Sequence, residues 1–84
     1  MANSSTHGVT GQSIVGSAAF RKGYEDAKKG LPLASDDFSV TNAWHYERGR
    51  LFAFCYNGRL KNGRKVRMDA LLAFQQAYNA GHVI

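Results

Sequence analysis

The chain has 84 residues, of which 44% are hydrophobic and 12% aromatic, so it can form one small domain and cannot hold a two-domain enzyme. Its formal net charge of +5 favours an acidic partner such as nucleic acid. The single cysteine, Cys55, excludes an internal disulfide framework and a zinc site made only of cysteines.

The expected location follows from the segments that the chain lacks. No stretch approaches the roughly 18 to 20 apolar residues that span a bilayer, and the N-terminus lacks the basic-then-apolar order of a signal peptide. The low cysteine content is typical of proteins that fold in a reducing compartment. We therefore expect a soluble, cytoplasmic protein with no membrane partner.

Residues 1–16 are rich in Ser, Thr, Gly and Asn and contain few apolar side chains. Such a composition cannot bury enough surface to offset the entropy lost on ordering the chain. We expect a flexible, disordered tail over residues 1–16, followed by a single helical domain over residues 17–84.

A first helix is predicted over residues 17–29. Gly30 suits the left-handed conformation that ends many helices, and Pro32 shortly afterwards cannot continue the helix. The apolar residues recur three or four positions apart, as one face of a helix requires: Phe20, Gly23, Tyr24, Ala27 and Leu31.

The segment 33–40 that follows is predicted to be a connector. It mixes residues that cap helices with one large aromatic, Phe38, which we expect to pack on the core. Ser39 and Thr41 are the candidates to cap the next helix, because their hydroxyl oxygens can accept a free backbone amide.

A long second helix over residues 43–56 is the favoured interpretation of the middle of the chain. The run over residues 51–56 is apolar on all sides, however, and its aromatic content also suits a short buried strand that ends at Asn57-Gly58. Both alternatives stay open at this point. In either one, Cys55 is expected to be a small buried side chain.

The last third of the chain is predicted to hold a basic loop and a third helix. Two Asn-Gly pairs, Asn57-Gly58 and Asn62-Gly63, indicate an exposed loop or short hairpin over residues 57–65. The third helix is predicted over residues 67–80, with Gly81 as its C-terminal cap. Its apolar residues have helical spacing: Val66, Ala70, Leu71, Phe74, Ala77 and Tyr78.

The predicted fold is therefore mostly α, a small single domain of three helices with a disordered N-terminal tail and a basic loop before the last helix. Small residues allow two helices to approach closely where they cross. The first two helices are expected to cross at four such positions: Gly23, Ala27, Gly49 and Ala53.

Enzyme signatures are absent from the sequence. There is no phosphate-binding loop, no dinucleotide fingerprint and no nucleophile elbow. The three histidines, His7, His45 and His82, lack the close spacing that holds a metal ion, and neighbouring carboxylates such as Glu25 and Asp26 point in different directions on a helix. We expect no catalytic residues, no metal and no cofactor.

The positive charge is concentrated in the second half of the chain. Residues 48–67 carry seven cations and no acidic residue, whereas residues 1–47 hold four cations and five anions. Such a segment attracts phosphates by releasing condensed counterions, and arginine can hold a phosphate with two hydrogen bonds. The cations of this segment are the predicted nucleic-acid-binding residues: Arg48, Arg50, Arg59, Lys61, Arg64, Lys65 and Arg67.

An aromatic residue completes the predicted binding set. Trp44, His45 and Tyr46 are consecutive, so they cannot all face the core, and at least one ring should stay exposed beside Arg48. An exposed ring at that place could stack on an unpaired base, and Trp44 is the candidate.

Glycines, alanines and aromatics recur with a characteristic spacing in residues 20–53: Gly23-Tyr24, Ala27, Gly30, Phe38, Tyr46, Gly49 and Ala53. This spacing resembles that of the ribosome modulation factor family, which are small basic helix-loop-helix proteins. Tyr46 stands where the family has Trp, Asp36-Asp37 replaces its Cys-Pro, and residues 57–84 have no counterpart in its short members. The resemblance implies a protein that binds ribosomal RNA and holds the ribosome inactive.

Together these features predict a non-enzymatic nucleic-acid-binding regulator, associated with RNA or with the ribosome, that uses the basic segment 48–67. The alternative is a small protein-interaction module, such as a phage-type inhibitor or adaptor, that binds an acidic patch on a host protein. A homodimer also stays open, because small helical proteins often dimerise to enlarge a thin core.

Overall fold

Four helices and one short hairpin occupy residues 10–33 and 39–83, which are the residues that the computed structural model describes. The predicted mostly helical fold is confirmed. No helix in these two segments is long and apolar enough to cross a membrane. The elements in chain order are α1 (Gly11–Val15), α2 (Ala18–Lys28), α3 (Val40–Phe52), β1 (Lys61–Asn62), β2 (Lys65–Val66) and α4 (Met68–Asn79).

Helix α1 was not expected, because residues 1–16 were predicted to be a flexible tail. That prediction is wrong for residues 10–16, while residues 1–9 lie outside the described part of the chain. The Thr10 hydroxyl accepts the Ser13 amide, and the Ser13 side chain bonds back to the Thr10 amide, so the two residues cap the helix reciprocally. Ile14 and Val15 are then buried, and the burial of these two side chains offsets the entropy of ordering the segment.

Helix α2 matches its prediction closely. It runs over Ala18–Lys28 against the predicted 17–29, with the Ser17 hydroxyl accepting the Phe20 amide at 3.1 Å. Gly30 has a φ of 72°, in the left-handed region expected of a glycine at this position. Leu31 lies past the end of the helix and is largely exposed, so it is not part of the core face as predicted.

Helix α3 spans Val40–Phe52 against the predicted 43–56, so it begins three residues and ends four residues earlier. Ser39, one of the two candidates, caps it by accepting the Asn42 amide at 3.1 Å. The predicted connector residue Phe38 lies in segment 34–38, outside the described residues.

A tight turn over residues 53–55 ends α3, so neither a helix to residue 56 nor a buried strand over 51–56 is correct. Phe52 is fully buried, whereas Phe54 is 84% exposed. Cys55 is also exposed, and the expectation that it would be buried is wrong. The turn thus divides the apolar run between the core and the surface. The composition of the run does not reveal this division.

Helices α2 and α3 cross at two glycines, as predicted. A Cβ atom at Gly23 would overlap the carbonyl oxygen of Tyr46, and one at Gly49 would overlap the carbonyl oxygen of Phe20. The two backbones therefore touch with no side chain between them. This close crossing sets the position of α2 relative to α3.

The core is built around three phenylalanine rings from three helices. Phe20, Phe52 and Phe74 lie with ring centroids 5.6 to 5.8 Å apart, in tilted or edge-to-face pairs. Helix α4 contributes Ala70, Phe74 and Ala77 to this core, while Tyr78, predicted on the same face, is largely exposed. Gly81 follows the helix with a φ of 81°, as expected for its cap.

Candidate nucleic-acid interface

The predicted basic loop is a hairpin. Strands β1 and β2 pair antiparallel, with Lys61 opposite Val66 and Asn62 opposite Lys65. Gly63 has a φ of 62°, which the two-residue turn at the tip requires. We call residues 59–65 the basic hairpin, because it carries Arg59, Lys61, Arg64 and Lys65.

These four cations face water and are available to a ligand. Arg59, Arg64 and Lys65 are exposed and Lys61 is half-buried. The salt bridges found in the described ranges involve other cations, namely Arg21, Lys22 and Arg67. Within residues 10–33 and 39–83, no carboxylate therefore pairs with a cation of the basic hairpin.

Helix α2 holds the start of the hairpin segment through Tyr24. The Tyr24 hydroxyl donates to the carbonyl oxygen of Gly58 at 2.8 Å and accepts the Gly58 amide at 3.2 Å. It also lies 3.2 Å from the carbonyl oxygen of Tyr56. The residue just before Arg59 is thus fixed to a helix by its backbone.

Lys28, one turn further along α2, makes a second connection. Its ammonium group donates to the carbonyl oxygens of Ala53 at 2.8 Å and Tyr56 at 2.7 Å, and to the side-chain oxygen of Asn57 at 3.1 Å. Ala53 is the C-terminal cap of α3, so the ammonium group also offsets the negative end of that helix dipole.

A pocket of about 490 Å³ opens between helix α2 and the basic hairpin. Three cations and one carboxylate line it among the residues that the structure describes, since Arg21 and Glu25 of α2 face Arg59 and Lys61. Arg21 and Glu25 form a salt bridge at 3.0 Å. The remaining lining residues are Tyr24, Gly58, Leu60 and Gly63.

Arg67 ends the basic segment but is paired with a carboxylate. Its guanidinium donates two hydrogen bonds to Asp69, at 3.0 and 3.1 Å. These bonds hold the pKa of the Asp69 carboxyl below its usual value and raise the pKa of Arg67. Asp69 lies in the first turn of α4, where a negative charge also suits the helix dipole.

Arg48 and Trp44, two further predicted binding residues, form a stacked pair on α3. The Arg48 guanidinium lies 3.1 Å from the centre of the Trp44 ring, and Arg48 itself is only 4% exposed. Burial lowers the pKa of Arg48. The prediction that Arg48 contacts phosphates is therefore not supported, since its charge is enclosed.

The expectation of one exposed ring beside Arg48 is confirmed, because Trp44 is 45% exposed whereas His45 and Tyr46 are buried. Burial, with Arg48 nearby, lowers the pKa of His45 below 6.5. Its Nδ1 atom is buried with no hydrogen-bond partner among the residues that the structure describes.

Arg50, the remaining predicted residue, is connected to α2 through Tyr46 rather than to the basic hairpin. It donates to the Tyr46 hydroxyl at 3.4 Å, and that hydroxyl donates to the Asp26 carboxylate at 2.8 Å. The hydrogen bond from Tyr46 is the main cause of the lowered pKa of Asp26, and Lys22 and Arg50 add to it.

The predicted set of eight residues is thus divided. The four cations of the basic hairpin lie together, three of them exposed and Lys61 half-buried. Arg67 is paired with Asp69, and the other three residues belong to a separate part of α3: Arg48, Arg50 and Trp44. Sequence reasoning missed Arg21 and Glu25, which line the pocket. A spacing of four residues is typical of a salt bridge on a helix surface and carries no information on what that surface faces. No local pattern signalled that this surface faces the basic hairpin.

The arrangement is suited to binding anions. The Glu25 carboxylate in the pocket is engaged by Arg21. Outside the pocket, Asp26 accepts a hydrogen bond from Tyr46 and Asp69 accepts one from Arg67. None of the three carboxylates is therefore a free base. No group of three or more His, Cys, Asp or Glu side chains within residues 10–33 and 39–83 could hold a metal ion.

Comparison with known proteins gives no match: no family model, no curated protein and no solved structure is similar to this chain at a significant level. The resemblance to the ribosome modulation factor family therefore stays a prediction. The function has to be argued from the site itself.

Proposed function

We propose that this protein binds RNA through the basic hairpin and acts as a non-enzymatic regulator. The observation that carries the proposal is the presence of four cations on one hairpin that form no salt bridge within the described residues. Such a surface attracts the phosphate groups of a nucleic acid, and their binding releases counterions from it. Arg59 and Arg64 can each hold a phosphate with two hydrogen bonds.

The shape of the hairpin also suits a phosphate backbone. It is a two-stranded ribbon with Gly63 in its turn. Lys61 and Lys65 lie on the two strands, Arg64 lies in the turn, and Arg59 comes shortly before the first strand. Tyr24 and Lys28 anchor its base to α2, so that little entropy is lost at the base when RNA binds.

A second contact is proposed at Trp44. Its indole ring is half exposed, and the Arg48 guanidinium supports it from one side. A base from the same strand could stack on this ring, which would add a sequence-tolerant contribution to the electrostatic one.

The proposed target is ribosomal RNA, and the proposed location is the cytoplasm. The resemblance of residues 20–53 to the ribosome modulation factor family supports this target, and the lack of a long apolar helix in the described segments agrees with the location. Co-sedimentation with ribosomal subunits, repeated after nuclease treatment, tests it. Recovery of one protein partner that resists nuclease would instead favour the adaptor alternative.

Binding of a labelled single-stranded RNA, measured by fluorescence anisotropy over a salt series, tests the proposal. For single strands the slope of log K against log salt changes by roughly 0.7 for each phosphate contact. Changing Arg59, Lys61, Arg64 and Lys65 together to Glu should abolish measurable binding at moderate salt. The far-ultraviolet circular dichroism spectrum should stay unchanged.

A matched pair of single variants separates local contact from net charge. Lys65→Glu and Lys29→Glu change the net charge equally, and both side chains are exposed, but only Lys65 lies on the basic hairpin. Lys65→Glu should weaken binding and flatten the salt slope, and Lys29→Glu should have a smaller effect on both. Equal effects of the two variants would refute a specific role for the hairpin.

A further inference from the structure

We propose that the pocket between α2 and the basic hairpin takes one unpaired nucleotide of the bound strand, with its phosphate between Arg59, Lys61 and Arg21. This inference rests on the proposed RNA binding and adds a ligand class to the same surface. It also predicts a preference for single-stranded RNA, because bases within a duplex are stacked and paired and cannot enter a pocket.

The size of the pocket fits such a ligand. Its volume of about 490 Å³ lies in the range of roughly 300 to 1,000 Å³ that small-molecule sites occupy. Gly63 keeps the hairpin side open, since a Cβ atom at this position would have no heavy atom within 4 Å. A nucleotide can therefore approach the backbone of the turn without meeting a side chain there.

The chemistry of the lining fits both parts of a nucleotide. Arg59, Lys61 and Arg21 supply cations for a phosphate. Leu60 and Tyr24 are core residues, each 6% exposed, and the edges that they show to the pocket add a small apolar surface for a sugar or base. The Tyr24 hydroxyl is already engaged with Gly58, so it is not available to the ligand. This combination of charged and apolar surface distinguishes the pocket from a simple anion site.

Among the described residues that line the pocket, Glu25 is the one that opposes a phosphate. Its carboxylate holds Arg21 at 3.0 Å and repels a second negative charge. Glu25→Gln should free Arg21 and remove this repulsion. The affinity for a nucleotide should then rise about fivefold, the factor expected for one unit charge a few Å away at a water-exposed site.

Titration of the full chain with adenosine 5′-monophosphate, followed by nuclear magnetic resonance, tests the inference, with inorganic phosphate and adenosine as separate probes. The nucleotide should bind more tightly than either probe alone and shift the signals of residues that line the pocket. Glu47→Gln is the matched control for Glu25→Gln, because it removes the same charge from an exposed helical position outside the pocket.

A second pair of variants lies on the hairpin itself. Arg59 and Arg64 are both exposed, but only Arg59 lines the pocket. Arg59→Gln should weaken the binding of the mononucleotide by several-fold and Arg64→Gln should leave it unchanged, whereas both should weaken the binding of RNA.

The outcomes separate the inference from the proposed function. Phosphate binding as tight as nucleotide binding, or equal effects of Glu25→Gln and Glu47→Gln, would overturn the inference and leave RNA binding by the hairpin intact. Nucleotide binding that depends on Arg59, in a protein that does not bind RNA, would support the pocket and overturn the proposed function.

Discussion

The Tyr24 hydroxyl engages both backbone polar groups of Gly58, donating to its carbonyl oxygen at 2.8 Å and accepting its amide at 3.2 Å. The two residues are 34 positions apart in the sequence, and this contact joins helix α2 to the segment that leads into the basic hairpin. Gly58 directly precedes Arg59, and Tyr24, Gly58 and Arg59 all line the pocket.

Tyr24→Phe removes these hydrogen bonds and keeps the buried ring. We expect a loss of about 1 to 2 kcal/mol in the free energy of unfolding, because two backbone groups lose a partner. Urea unfolding measures this loss. Tyr78→Phe is the control, since it removes the same hydroxyl group from an exposed ring on the surface of α4. An equal loss in both variants would contradict the role of Tyr24.

Lys28→Met tests the second connection between α2 and the hairpin segment. Three oxygen atoms lose the ammonium group that they share, and we expect a loss of about 1 kcal/mol because these contacts are partly exposed to solvent. The neighbouring variant Lys29→Met should change stability by less than about 0.5 kcal/mol. Thermal unfolding of the two variants side by side gives the comparison. A Lys28→Met variant as stable as Lys29→Met would show that the contacts contribute nothing.

Gly23→Ala tests the crossing of α2 and α3. The new Cβ atom would meet the backbone of Tyr46, which cannot move aside as a side chain can, so we expect a loss of about 3 kcal/mol or more. Gly11→Ala is the matched control, because its nearest neighbour is the flexible end of Leu71 at 3.3 Å. Denaturant unfolding should show a lowered midpoint for Gly23→Ala alone. A Gly23→Ala variant of ordinary stability would mean that the helices cross elsewhere.

His45 makes stability depend on pH. Its pKa is lowered in the folded protein by burial and by Arg48, so the unfolded chain binds a proton more readily. Its contribution is complete above pH 6.5 and is lost as the pH falls through the lowered folded-state pKa, with a slope of at most about 1.4 kcal/mol per pH unit. Urea unfolding between pH 8 and pH 5 measures it.

His45→Gln should remove most of that slope, whereas His82→Gln should keep it, because His82 is exposed near the end of the chain. A slope that persists in His45→Gln would assign the pH dependence to another group.

Local signals in the sequence predicted helices α2 and α4 well. Periodic apolar residues defined their buried faces, and Gly30 and Gly81 marked their ends within one or two residues. The crossing at Gly23 and Gly49 was also predictable, because glycines at corresponding places on two helices favour close approach.

Helix α1 and the turn that ends α3 were not predictable from local signals. Helix α1 depends on the burial of Ile14 and Val15. These two apolar residues stand in a polar segment, so the sequence around them gives no sign that they are buried. The turn after Phe52 interrupts a run of aromatics with no Gly or Pro to mark it. In both places tertiary packing outweighs the local composition.

The candidate site was predictable only in its charge. The four cations in residues 59–65 were predicted to lie in an exposed loop. Arg48 belongs to the same basic segment of the sequence, but the structure encloses it beneath Trp44. The pocket depends on contacts between residues more than 30 positions apart, such as that of Tyr24 with Gly58. Spacing along the chain carries no information on such contacts.

The most direct measurement is a titration of the isotope-labelled protein with a short single-stranded RNA, observed through its backbone amide signals. We expect the largest shifts in residues 58–65 and in residues 21–25 of α2, which surround the pocket, and much smaller shifts along most of α4. Shifts centred on α4 would contradict the proposal that the basic hairpin and α2 form the binding surface. The absence of any shift at RNA concentrations well above those at which other basic hairpins bind RNA would also contradict it.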